Sequence, residues 1–387
     1  MAGRGAIGRR GAGARRIGRV VLLAGTPSEA VRLAPVARAL IHRRGLEPVV
    51  VVLADQDDAG VAGCLEDLGT PVDVVVDTSN GSHPAGEGPD AVLGALGPVL
   101  AELAPAALLV EGEATMPMAG ALCAHYEGLP LGHLGAGVWS GRQNDPVRDE
   151  LARRLIHRAT LWHFVPTRAA RERLIGDGVA PDSVHLTGST VVDSLRWLLD
   201  QGRAGPSGFV TDRPRKVLVA LREASRGDPP IALVRSLVEL SRQGDTEVLL
   251  PLRLDRSPRS LPSAVSGVVG ATVVDPLGYP AFVGSLAACD LVLTDAGGVE
   301  EEAGALGKPV LRLGRAPGRP EGAAAGTSRA VDTDPDLVAK QAAALLDDPG
   351  RAAAMVGPVN PYGDGLAGER IVDVLERHLG HRSPARA

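Results

Sequence analysis

The stretch Leu291-Val292-Leu293-Thr294-Asp295-Ala296-Gly297-Gly298-Val299-Glu300-Glu301-Glu302 runs from an apolar strand through a glycine pair into an acidic helix start. Two glycines let a phosphate approach the backbone closely, and the dipole of the following helix favours its negative charge. The pattern is neither GxGxxG nor a P-loop. The three glutamates fit either of two roles: dipole partners at the helix N-terminus or, at Glu302, acceptor for both hydroxyls of a ribose. A second candidate is Gly25-Thr26-Pro27-Ser28-Glu29-Ala30. Thr26, Pro27 and Glu29 fit N-cap, N1 and N3 of a capping box, and the same N–H groups suit an anion, with Arg32 one turn on. A third, Asn144–Glu150, opens a helix at Pro146. There Asp149 and Glu150 stand i,i+4 to Arg153 and Arg154, the spacing of an ion-paired exposed face. His133, His157 and His163 lack metal-ligand spacing and read as structural. No Ser/His/Asp or Cys/His arrangement and no metal site stands out.

The elements that must position these residues alternate in type. Strand-like apolar runs fall at 19–24, 48–53, 72–76, 106–110, 161–165 and 184–187, with helical lengths at 29–43 and 89–103. Short buried strands alternating with helices predict a largely parallel sheet covered on both faces. Residues 201–214 are rich in Gly, Pro and polar types and read as a linker. Strand signals then resume at 216–221, 247–250, 268–274, 291–294 and 309–313. The predicted organisation is a basic tail (1–18), an N-terminal Rossmann-like domain (19–200), the linker (201–214) and a second Rossmann-like domain (215–366). The remainder (367–387) holds a helix expected to pack back toward the first domain, and a tail. Ligands of open α/β sheets sit at the carboxyl ends of strands, so a cleft between the domains is the expected site.

Composition narrows the function classes. The 387 residues carry 41 Lys+Arg against 46 Asp+Glu, a net charge of −5, so no polyanion partner is implied. Nine aromatic residues, three each of Phe, Trp and Tyr, are too few for a single-strand nucleic-acid stacking platform. No uncharged run reaches the roughly 18 residues of a transmembrane helix. Cys64, Cys123 and Cys289 are odd in number and widely spaced, which fits free thiols in a reducing cytoplasm.

Taken together, these segments resemble the non-hydrolysing UDP-N-acetylglucosamine 2-epimerases, in order, over nearly all of 19–380. Residues 25–36 are similar to that family's GTRPEAIKMAPV, and 110–119 to VxGDTxxxxA. Residues 133–138 fall on HVEAGL, 146–155 on PFPEEMNRQL and 187–195 on TGNTVIDAL. Residues 295–311 resemble DSGGIQEEAPSLGKPVL, 319–327 resemble RPEAVEAGT, and 360–371 match NPYGDGxAxERI almost throughout. The resemblance implies a GT-B-like α/β pair of Rossmann domains holding a UDP-sugar between them, a homodimer, and no cofactor such as NAD or a metal. The implied reaction interconverts UDP-GlcNAc and UDP-ManNAc through elimination of UDP to 2-acetamidoglucal and its re-addition.

By this resemblance Gly297 and Gly298 meet the diphosphate, Glu302 the ribose and Phe282 the uracil side, with Arg319 and Arg222 at the cleft. Arg32 stands for a family lysine, and Ala296 for the loop serine. The family's catalytic positions are the Asp of VxGDT, the Glu of HVEAG, the first Glu of PEE and the His of TxHRxEN. They read here Glu113, Gly135, Asp149 and Leu221, with Glu150 as a further acid. Two positions keep a carboxyl group and two lose the functional group. Three readings follow: an epimerase rearranged around Glu113, Asp149 and Glu150; a UDP-sugar-binding paralogue or partner subunit without turnover; or another UDP-sugar enzyme, a hydrolase or glycosyltransferase.

Overall fold

A computed structural model describes residues 18–54, 59–78, 88–138, 146–221, 240–241, 245–251, 270–314, 319–331, 334–357 and 360–380, with only the backbone for 54, 59, 146–150 and 335. The first lobe is built on seven parallel strands: β1 (Gly18–Ala24), β2 (Leu46–Ala54), β3 (Val74–Asp77), β4 (Ala107–Glu111), β5 (Leu131–Leu134), β6 (Trp162–Val165) and β7 (Val184–Leu186). Their order across the sheet is β3-β2-β1-β4-β5-β6-β7. Helices α1 (Pro27–Ile41), α2 (Ala59–Asp67), α3 (Pro89–Leu103), α4 (Thr115–Tyr126), α5 (Pro146–Ala159), α6 (Arg168–Gly176) and α7 (Thr190–Asp200) alternate with them.

The second lobe repeats the plan on six parallel strands. These are β8 (Arg215–Ala220), β9 (Thr246–Pro251), β10 (Ala271–Val274), β11 (Leu291–Thr294), β12 (Val310–Leu313) and β13 (Ser328–Val331), in the order β10-β9-β8-β11-β12-β13. Its described helices are α8 (Tyr279–Ala288), α9 (Gly297–Ala305), α10 (Pro320–Ala325), α11 (Pro335–Asp347) and α12 (Pro349–Ala354), and α13 (Ala367–Leu379) ends the described chain. In both sheets the order reverses beside the first strand, where a crevice opens at the carboxyl ends.

Strands β4, β5, β6, β11 and β12 are buried at every position, as expected where helices cover both faces. Eleven of the thirteen strands coincide with the apolar runs read from the sequence. The other two, β5 (Leu-Gly-His-Leu) and β13 (Ser-Arg-Ala-Val), lack a β-branched run and owe their extension to neighbours already in place. The three cysteines are free and buried. Among the described residues no helix is long and apolar enough to cross a membrane.

One polar exchange fixes α1 in the first lobe. Pro35 lies inside that helix and has no N–H to give the Val31 carbonyl, and the Ser194 hydroxyl of α7 donates to that carbonyl at 2.6 Å instead. Helix α13 crosses α1 so closely that a side chain on Gly368 would meet the Pro35 carbonyl at 2.9 Å. At the end of α1, Arg43 reaches Glu369, Asp373 and Glu376 on one face of α13 at 2.7, 2.7 and 3.1 Å. The last described helix is therefore seated on the first lobe by a close backbone approach and a fan of ion pairs. A continuous apolar cluster, including Leu22, Leu33, Leu195, Leu218, Leu286 and Tyr362, runs from one lobe into the other.

Three histidines of the first lobe, His133, His157 and His163, gather in its interior. The rings of His133 and His157 lie 5.6 Å apart and those of His157 and His163 5.7 Å apart. His133 Nε2 faces the Gly112 carbonyl at 2.8 Å. Among the described residues no group of three or more His, Cys, Asp or Glu side chains is placed to hold a metal ion.

Candidate functional site

Strand β11 is apolar and buried up to Thr294, whose hydroxyl then directs the chain. It donates to the Ala220 carbonyl of β8 at 2.6 Å and accepts the Ala296 N–H at 3.0 Å. The bend into α9 is thus tied to the neighbouring strand, and Gly297 and Gly298 open the helix at the crevice, where its first N–H groups have no intrahelical acceptor. A side chain on either glycine would have to displace a guanidinium group. A Cβ on Gly297 would lie 2.8 Å from the Arg319 guanidinium carbon, and one on Gly298 2.9 Å from a terminal nitrogen of Arg32. Arg32 comes from the first lobe and Arg319 from the second. Two guanidinium groups from opposite sides therefore rest on the amide-lined start of one helix, an arrangement that suits a diphosphate.

Glu301, one turn into α9, ties these cations together. Arg319 Nε lies 2.5 Å from one carboxylate oxygen, while the other accepts the Ser189 hydroxyl at 2.5 Å and faces Arg32 at 3.8 Å. Burial pushes its carboxyl up, but Arg319, Arg32 and Ser189 together hold it below the ordinary carboxylate range. Glu300 turns into the second lobe and pairs with Arg312 at 2.8 Å. Glu302 accepts the Tyr279 hydroxyl at 2.8 Å, and burial raises its carboxyl to about 7 against the opposing pull of Tyr279 and Arg32. Tyr279→Phe removes that donor, so the Glu302 titration is expected to move above this value. The carboxyl ¹³C shift of labelled glutamate checks it, and an unmoved titration would refute the assignment of the phenol's role. The Tyr279 and Phe282 rings stack at 6.3 Å and 21°, giving the crevice an aromatic wall.

On the first-lobe side, Thr26 caps α1 by accepting the Glu29 N–H at 3.2 Å. The Glu29 carboxylate reaches back past Thr26 to accept the Gly25 N–H at 2.7 Å. Burial, with the nearby Glu111 adding to it, lifts the Glu29 carboxyl to about 8 against the opposing hydrogen bonds from Gly25 and Thr26. The capping box predicted from the sequence is thus present in an extended form, its first N–H groups engaged by the chain itself. Glu111 ends β4 and pairs with Arg32 at 3.2 Å. Glu113 follows one residue beyond Gly112, half-buried.

These groups line one cavity of about 910 Å³ between the lobes, large enough for a nucleotide-sized ligand. Of the residues singled out from the sequence, Arg32, Glu113, Gly135, Phe282, Ala296, Gly297, Gly298, Glu302 and Arg319 all line it. Leu221 does not and packs instead against the core of the second lobe. Arg222 lies outside the described residues, as do the side chains of Asp149 and Glu150 and with them the expected pairs to Arg153 and Arg154. Arg153 itself comes to 3.9 Å from Asp177. Glu111, Glu301, Ser189 and Tyr279 were not singled out beforehand. The available signal for Glu111 was its place at the carboxyl end of a strand; the other three are assembled from separate elements.

Two parallel sheets facing across a charged, aromatic-walled crevice define the class: a two-lobed, GT-B-like α/β protein with Rossmann-like halves. The family model described as UDP-N-acetylglucosamine 2-epimerase matches residues 38–376. A UDP-N-acetylglucosamine 2-epimerase from Escherichia coli (strain K12) is 32% identical over 377 residues, covering 93% of this chain and 99% of that protein. A solved structure of UDP-GlcNAc 2-epimerase from Neisseria meningitidis bound to UDP-GlcNAc superposes with a TM-score of 0.84 at 28% identity, covering 93% of this chain and 100% of that one. A UDP co-structure from S. aureus gives 0.82 at 27% identity, covering 96% and 99%. The chain belongs to the UDP-N-acetylglucosamine 2-epimerase family.

Proposed function

We propose that this chain binds a UDP-sugar in the crevice and interconverts UDP-GlcNAc with its C2 epimer. The observation that carries the reading is the glycine bend with Arg32 and Arg319 resting on it from opposite lobes. A departing UDP develops charge on its β-phosphate oxygen, and cations and helix N–H groups already aimed there stabilise it without reorganisation. The names of the E. coli relative and the N. meningitidis structure support the same ligand. In this reading Glu302 holds the ribose and Phe282 the uracil side. Glu113 works as a proton-transferring acid, with Asp149 and Glu150 as further candidates on α5.

The unit is a homodimer acting in the cytoplasm without nucleic-acid or membrane partners, with residues 19–200 and 215–366 as its two domains joined by 201–214. The test is incubation with UDP-GlcNAc in D₂O, followed by NMR at sugar C2, with UDP binding measured by calorimetry. Solvent deuterium at C2 together with a ManNAc product is expected. Unchanged substrate with UDP bound would mark a binding paralogue, and free sugar with UDP a hydrolase. Failure to bind any uridine nucleotide at millimolar concentration would remove the reading altogether.

A further inference from the structure

Strands β4 and β5 pair with Glu111 opposite Leu134, which places Gly135 directly beside the Glu111 side chain at the crevice end of the sheet. Gly135 has φ +68°, and a Cβ built on it would lie 3.1 Å from Glu111 Oε1. The Glu111 carboxylate thus occupies the space into which a side chain at 135 would project. It is 9% exposed and lines the same cavity as Glu113. Its Oε1 contact with Arg32 at 3.2 Å sets it one guanidinium away from the glycine bend, since Arg32 also reaches Gly298.

We propose that Glu111 is a catalytic carboxylate of this site, exchanging a proton with sugar C2 from the end of β4, beside position 135, which follows β5 and carries no acid. The inference deepens the proposed epimerase reading and rests on it. One carboxylate of the Glu111–Glu113 pair takes the C2 proton as the C–H electron pair forms the C1=C2 bond. The C1–O bond breaks, and both its electrons leave on the β-phosphate oxygen of UDP. In the return step that oxygen attacks C1, and the C1=C2 pair takes a proton from the other carboxyl on the opposite face of C2. The pair holds one proton before and after, its location exchanged, and solvent resets it. Burial raises the Glu111 carboxyl, Arg32 opposes the rise, and Glu29, Glu301 and Arg319 are the other charged or titratable groups facing it, which suits a group that must both give and take a proton.

Glu111→Gln keeps the shape and an acceptor for Arg32. Its expected result is a fall in C2 deuterium exchange of ~10²–10⁴-fold, the usual size for one acid or base, with the UDP Kd within about threefold of the parent. Exchange within threefold of the parent would overturn the proposal. So would exchange rate and UDP affinity falling by one common factor, the signature of a residue that only positions Arg32. The paired variant Glu111→Ala with Gly135→Glu is expected to recover at least about tenfold over Glu111→Ala alone, since it returns a carboxylate to the same space. No recovery, in a double variant whose UDP Kd and denaturation midpoint match those of Glu111→Ala, overturns the claim that the two positions feed one site. A parent protein that binds UDP but exchanges nothing overturns the epimerase reading and this inference together, whereas a parent that exchanges beside an unimpaired Glu111→Gln overturns only the inference.

Discussion

Arg319→Ala is expected to lower folding stability by about 3–5 kcal/mol, the usual cost of leaving one member of a buried ion pair without its partner. The Glu301 side chain is 2% exposed and that of Arg319 12%, so the pair is largely desolvated in the parent. Arg32 at 3.8 Å and the Ser189 hydroxyl remain beside Glu301 and place the result toward the lower end. The same substitution removes one of the two guanidinium groups from the glycine bend. Loss of a charge-assisted contact of ~1.5–3 kcal/mol corresponds to roughly ten- to a hundredfold weaker UDP binding. Chemical denaturation and calorimetry read the two effects. Adding Glu301→Gln should restore most of the stability and none of the affinity, because it removes the stranded charge and not the need for a cation. A single variant of unchanged stability would show that Glu301 is adequately held by its other partners.

His157→Gln is expected to change how stability depends on pH. Burial, with His163 and Arg153 nearby, depresses the His157 ring from 6.5 to about 4. Between those values the unfolded chain binds a proton that the folded chain refuses. The contribution of His157 is therefore fully present above 6.5, falls as pH drops toward 4, and is level below that. At ~1.4 kcal/mol per unit the parent should lose about 3 kcal/mol more than the variant across this window. The comparison with a variant is needed because other buried groups titrate in the opposite sense. Glu29 at about 8 and Glu302 at about 7 bind protons more readily folded than unfolded, so their contribution is lost as pH rises through those values. Denaturation midpoints of both proteins at pH 7 and pH 4.5 check the difference, and parallel curves would refute it.

Much of the lining of this crevice is legible in the sequence. The glycine bend, Arg32, Glu302 and Arg319 are local signals or pieces of contiguous motifs, Phe282 is implied only by the family resemblance, and all of them line the crevice. The run 291–294 is a strand with those same bounds, because a short apolar segment between turn signals has few other ways to bury itself. Strand β5 was not readable, since Leu-Gly-His-Leu carries little extended preference of its own and is drawn into the sheet by β4 and β6. Position 221 shows the converse: the resemblance sets it at a catalytic position, yet the Leu221 side chain packs against the second-lobe core and does not line the cavity.

The order of residues alone determined the alternation of strand and helix, the capped start of α1 and the amide-lined bend before α9, because each depends on neighbours a few positions apart. Only the folded chain decided that Glu301 binds Arg319 and Ser189, that Ser194 replaces the N–H missing at Pro35, and that Glu111 fills the space beside Gly135. Those pairings join residues between 18 and 163 positions apart, or lie across neighbouring strands. Distances and desolvation between such groups arise only when the two lobes and their sheets pack, and no local pattern of residue types encodes them.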